Sequence, residues 1–339
     1  MLQLRNNTPF APAMAVFPNR DGIDTLYVIV KGTFTLRPPL RLAEAPAPPV
    51  LTDEYYGEPV ASSIKYASEL HIGKAGTDVI LVGHAYTLGH DISESAVLVR
   101  AAERKKVVRV FGDRFWRLGG STRPEPFEQM PLTFERAYGG QHQVSPDEPM
   151  LAEEYNPVGV GFRGRRSASD MDGQPLPNLE DPRHSSEVLG SRPVPACFGF
   201  VAPSWLPRRA FAGTYDKTWQ KKRAPYLPLD FDQRFFNMAA PELTFQRFLM
   251  GGEPVEVLGA SREGPIRFEV PRCQPRVTIK VMGRNETPPP RLETVLIEPD
   301  LNRVSVSWRS ELPCDKHVLK VDEASIDVDG LDAVLKGAA

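Results

Sequence analysis

TLYVIVKGTFTL, residues 25–36, decides the fold class. β-Branched and aromatic residues dominate it, as in a strand, with Gly32 as a candidate bulge. Outward from it, residues 77–87, TDVILVGHAYT, alternate after an apolar start. Residues 96–100 and 106–116 flank the charged turn Glu103-Arg104-Lys105 and read as a hairpin. Beyond residue 254, strands are expected at 256–258, 266–270, 276–282 and 293–297. VSVSWR at 304–309 alternates cleanly, with Val304, Val306 and Trp308 on one face. The turn chemistry of EPDLN, 298–302, joins the last two as a hairpin, and 317–321 reads as a closing strand. The fold class is therefore mainly β: an antiparallel β-sandwich or a barrel-like core.

Between residues 119 and 252 the period disappears. A structureless loop of that length is improbable inside a compact domain, so an ordered Pro/Gly/aromatic-rich insertion with a few short helices is expected. One helix is placed at 214–220, with Thr214 as its cap and Tyr215 and Trp219 on one face. Another starts at Pro241 and stops at Gly251-Gly252. The chain then divides into a β-rich part at 1–118, the insertion at 119–252, a second β-rich part at 253–328 packed with the first into one unit, and a loose tail at 329–339.

Proline is the compositional outlier: 34 residues of 339, about twice the roughly 5% of average usage. It fixes φ and removes a donor, which argues against a helical bundle. A net charge of −2 argues against a nucleic-acid partner. The basic runs at 104–106 and 221–223 read as solvated faces. Cys197, Cys273 and Cys314 are odd in number and widely spaced, which suits a reducing compartment and neither a disulfide framework nor a zinc site. Neither a signal peptide nor an apolar stretch of membrane-spanning length is visible, so a cytoplasmic location is expected, with no membrane partner.

Motifs that carry chemistry are sparse. Gly159, Gly161 and Gly164 spell GxGxxG, but Asn156-Pro157 precedes them where a dinucleotide site needs a strand, so a loop is the preferred reading. His184 and Glu187 have metal-ligand spacing with nothing to join them. Asp216, Asp230 and Asp232 form the best carboxylate set, suited to a divalent ion or, preferably, to capping and pairing with Arg234. Glu135-Arg136 reads as an ion pair beside Gly139-Gly140. No catalytic, cofactor-binding or metal-binding residue is assigned.

Residues 203–237 crowd Trp205, Phe211, Tyr215, Trp219, Tyr226, Phe231, Phe235 and Phe236 among prolines and cations without a regular period. Such a segment packs onto a core or holds a partner. PFEQMPLTFERAYGG (126–140), NPVGVGF (156–162), LPNLEDP (176–182), FGFVAPSWLPR (198–208) and GTYDKTWQKKRAPYLPLDFDQRFFN (213–237) together resemble, in order, a bacterial family of effector adaptors encoded beside type VI secretion genes, domain of unknown function 2169. GGEPVEVLG (251–259) fits that family's return to β-structure, while Cys197 stands where glycine or alanine is expected and residues 243–248 diverge.

The resemblance implies a cytoplasmic, non-enzymatic adaptor or chaperone without a cofactor. Such a protein binds a type VI secretion effector and helps to load it on a trimeric spike protein or its tip protein. Trp205, Arg208, Tyr215, Trp219, Phe231 and Arg234 are the residues expected to stabilise or line the partner surface. Two alternatives stay open: a metal-dependent hydrolase using Asp216, Asp230 and Asp232, and a structural component of the secreted spike.

Overall fold

Asp24–Thr35 is a strand buried along almost its whole length, which explains why its sequence runs apolar instead of alternating. In the computed structural model, which describes residues 3–36, 39–118 and 120–331, it lies second in a five-stranded sheet. The order is Ala11–Pro18, Asp24–Thr35, Arg303–Pro313, Arg291–Glu298 and Asp78–Leu81. The first four strands pair antiparallel, and the last pairs parallel with its neighbour. A second sheet, antiparallel throughout, orders Leu179–Glu180, Arg104–Phe111, Glu94–Ala101, Pro254–Leu258 and Ile266–Glu269. A third sets Gln3–Asn6, Val321–Asp329, Gln274–Val281 and Arg284–Glu286 side by side.

The molecule is mainly β, with 38% strand and 9% helix, and no sheet closes into a barrel among the described residues. All three sheets contribute to one hydrophobic core, for example Val28, Val99 and Ile279. The period of two sorts the first sheet into unlike faces. Leu26, Val28, Val30 and Phe34, with Val304, Val306 and Trp308, enter the apolar core. Lys31 and Thr33, with Ser305, Ser307 and Arg309, are also buried, but polar. That second layer lies under segments from elsewhere in the chain: Ser307 and Lys31 bond Glu69, and Phe231 packs with Tyr27 and Ile72.

Several expectations are corrected. Gly32 pairs in register with Val306, so there is no bulge; a Cβ there would approach Phe10 Cε1 to 3.0 Å, so the glycine makes room for the ring. Residues 77–87 divide into Asp78–Leu81 and His84–Tyr86. Pro241 opens only a short 3₁₀ turn, Pro241–Leu243. Residues 317–321 belong mostly to the 3₁₀ turn Asp315–Lys320, and the closing strand is Val321–Asp329. The part of the expected loose tail from residue 332 onward lies outside the described residues.

Candidate functional site

The segment 203–237 is held by its own polar atoms. Asp216, not Thr214, caps the helix Lys217–Lys222, accepting from Trp219 N at 2.7 Å. Thr214 bonds Asp230 instead, through its backbone N at 3.0 Å and its hydroxyl at 2.7 Å. Asp232 accepts from Arg234 N at 2.9 Å and pairs with the Arg234 guanidinium at 2.5 Å. Each aspartate of the candidate metal set therefore spends an oxygen on a nearby backbone amide. Among the described residues no cluster of three or more His, Cys, Asp or Glu is arranged to hold a metal. Glu135 and Arg136 also part company: Glu135 accepts from Ser63 N, and Arg136 pairs with Asp113.

Tyr215 and Trp219 meet edge to face at 4.7 Å, and Trp219 Nε1 donates to Tyr226 O. Arg223 ties this small unit to the turn between the first two strands by donating to Arg20 O at 2.6 Å. Phe231, Phe235 and Phe236 then pack beneath it, and Phe236 stacks on His71 at 4.9 Å. At the end of the segment, Asn237 Nδ2 and Met238 N both donate to Asp78, at 3.0 and 2.7 Å.

Asp78 belongs to a buried ionic layer on the polar face of the first sheet. Lys74 Nζ lies 2.6 Å from Asp78, Lys31 Nζ 2.9 Å from Glu69, and Arg309 Nε 2.8 Å from Glu293. Burial, aided by the charges of Arg309, Lys74 and Arg208, holds the His71 imidazole well below its ordinary 6.5 and so neutral. Burial tends to raise the Glu69 carboxyl, but Lys31, Ser307 and Val50 N outweigh it and the net shift is downward. The void in this layer is about 20 Å³, room for one water. The layer stitches the covering segments to the sheet.

Beside it lies an open groove of about 580 Å³. Its apolar lining includes Val201, Pro207, Phe211 and Phe245, and its cations are Arg104, Arg208 and Arg234. Arg208 follows Pro207 in the 3₁₀ turn Arg208–Phe211 and is only 5% exposed. Its Nη1 donates to Val201 O at 2.5 Å and its Nε to Phe235 O at 2.8 Å. The Phe235 ring lies 5.2 Å from the guanidinium. Nη2 has no hydrogen-bond partner, and no carboxylate pairs with Arg208 among the described residues. Burial lowers this guanidinium to about 10, and Asp78 and Asp53 offset part of that shift from a distance. It remains charged at neutral pH.

The six residues expected at the partner surface separate into three groups. Trp205 is buried against Phe134 at 5.2 Å, and Phe231 is buried with Tyr27 and Ile72, so both support the surface from below. Tyr215 and Trp219 form the outer unit. Arg208 and Arg234 share the groove, where Arg234 stacks over Phe211 at 4.4 Å. Arg104 and Phe245 were not singled out in the sequence. Arg104 opens the strand Arg104–Phe111, in the basic run read as a solvated face, two residues before Lys106, which is buried and paired with Glu242 at 3.1 Å. The GxGxxG glycines lie in an irregular segment where Val160–Gly161 pairs with Tyr138–Gly139. A buried Asn156 amide holds it by donating to Phe134 O and Tyr138 O.

Among the described residues no helix is long and apolar enough to cross a membrane. The family model described as "Uncharacterized protein conserved in bacteria (DUF2169)" matches residues 21–309, and the chain belongs to that family. No curated protein and no solved structure matches it.

Proposed function

We propose that this protein is a non-enzymatic adaptor that binds a type VI secretion effector in the cytoplasm and promotes its loading on the spike and tip complex. One observation carries the proposal. An open, partly apolar groove has a buried arginine at its base with no counter-ion among the described residues. Isolated buried charge is costly, and a partner that supplies an acidic group offsets that cost. The aromatic and arginine residues around it are those that dominate the energetics of protein interfaces. The resemblance of five ordered sequence blocks to secretion-linked adaptors adds the class of partner.

Co-expression of the full chain with the product of the neighbouring effector gene tests the reading. The adaptor is expected to co-purify with the effector and to raise its soluble yield. Retention of no effector, spike or tip protein, with the effector equally soluble alone, overturns it.

A further inference from the structure

Arg208 differs from the other large cations buried in the molecule. Arg309 and Arg114 are buried against Glu293 and Glu180, and Lys31 and Lys74 against Glu69 and Asp78. Arg208 has two backbone carbonyls and a ring, which satisfy part of its hydrogen-bonding capacity without supplying a paired counter-ion. Its free Nη2 belongs to a side chain lining the groove, with Arg104 and Arg234 on the same lining. Arg234 is already paired with Asp232, and of the two lining cations without an ion pair among the described residues, Arg104 and Arg208, Arg208 is the buried one. Phe211, Phe245, Pro207 and Val201 supply apolar contact beside it. A volume of about 580 Å³ takes a few side chains and excludes a folded domain.

We infer that the groove binds an exposed segment of the partner protein that carries one carboxylate flanked by apolar side chains. The carboxylate accepts from Arg208 Nη2, the neighbouring apolar groups lie on Phe211 and Pro207, and Gln246 and Arg104 border the segment. The inference deepens the adaptor reading and rests on it for the partner being a protein. A polyanion such as nucleic acid suits the groove less well, because its floor is largely apolar and the chain carries a net charge of −2.

A random peptide library displayed on phage and selected on the immobilised full chain tests this and needs no candidate partner. The selected peptides are expected to share one Asp or Glu next to an apolar residue. A capped synthetic peptide with Gln or Asn in place of that acid is expected to bind about 10-fold more weakly or worse. Arg208→Gln should lose the enrichment. Because Arg208 also holds two carbonyls, Gln246→Glu serves as the second variant: it places a competing carboxylate on an exposed rim position and should weaken binding with an unchanged denaturation midpoint.

Selected peptides without an acid, no enrichment at all, equal enrichment on folded Arg208→Gln, or preferential binding of a single-stranded oligonucleotide would each overturn the inference. Failure of the two readings is separable. If wild type and Gln246→Glu retain a co-expressed effector equally, the groove assignment falls and the adaptor reading stands. If wild type retains no effector, the adaptor reading falls, and the peptide selection still decides the chemistry of the groove.

Discussion

Arg309 and Arg208 are both buried arginines, 4% and 5% exposed, in adjoining regions of the molecule. Arg309 pairs with Glu293 inside a closed ionic layer and also donates to Glu69 O at 2.6 Å. Arg208 opens on a groove and bonds only neutral carbonyls. The contrast separates two uses of buried charge. Where acid and base are both present, the charges fix how the covering segments lie on the sheet. Where only the base is present, and solvent reaches it through a groove, the counter-ion is proposed to come from the partner.

The largest effect should come from breaking the closed layer. Asp78→Ala removes the acceptor of Lys74, Asn237 and Met238 N, and leaves Lys74 buried without its counter-ion. It should cost about 3–5 kcal/mol in urea denaturation. Trp205→Ala should follow closely, at about 3–5 kcal/mol, because Trp205 fills the main core. Trp219→Ala, in the outer unit, should cost about 1 kcal/mol or less in the same denaturation. Equal losses at the two tryptophans would contradict the division into core and outer unit.

Arg208→Met should cost less than Asp78→Ala, about 1–3 kcal/mol. It leaves two carbonyls unsatisfied but also removes an uncompensated charge. A loss as large as that of Asp78→Ala would show that Arg208 serves the fold as Arg309 does. A further effect is pH-dependent and belongs to the closed layer. His71 is held neutral in the fold, below its ordinary 6.5. Its contribution is therefore complete above 6.5 and is lost as pH falls, because the unfolded chain then takes up a proton that the folded one refuses. Stability should decline below pH 6.5 by at most about 1.4 kcal/mol per pH unit from this group. His71→Asn should flatten that slope, and an unchanged slope would assign it to other groups.

The strands that build the sheets were legible in the sequence because their signal is local. LYVIV carries β-branched residues in a continuous apolar run, and VSVSW carries them at the period of the pleat. The strand Val321–Asp329 was misplaced because acids at 322, 323, 327 and 329 outnumber its β-branched residues. Its place is fixed by pairing with Gln274–Val281 and Gln3–Asn6, far away in sequence. The polar layer was hidden for the same reason. Lys106 looked solvated because its partner Glu242 lies far along the chain, near the end of the insertion, and nothing near Lys74 in sequence predicts Asn237 as its neighbour on Asp78.

In the groove, Arg208 and Arg234 were legible as members of a dense aromatic and cationic block. That Arg208 lacks a counter-ion was not, since a missing contact leaves no mark on the sequence. The cap by Asp232 and its pairing with Arg234 were legible because both lie within one turn, whereas the cap by Asp216 was assigned to Thr214, which instead bonds Asp230 across one short loop.

The most direct measurement is retention of a co-expressed type VI secretion effector by full-length wild type, Gln246→Glu and Trp219→Ala, each with its denaturation midpoint. The account predicts that wild type retains the effector and that Gln246→Glu loses it at an unchanged midpoint. Equal retention by wild type and Gln246→Glu, with loss only in Trp219→Ala, would contradict it and move the partner surface from the arginine groove to the outer aromatic unit.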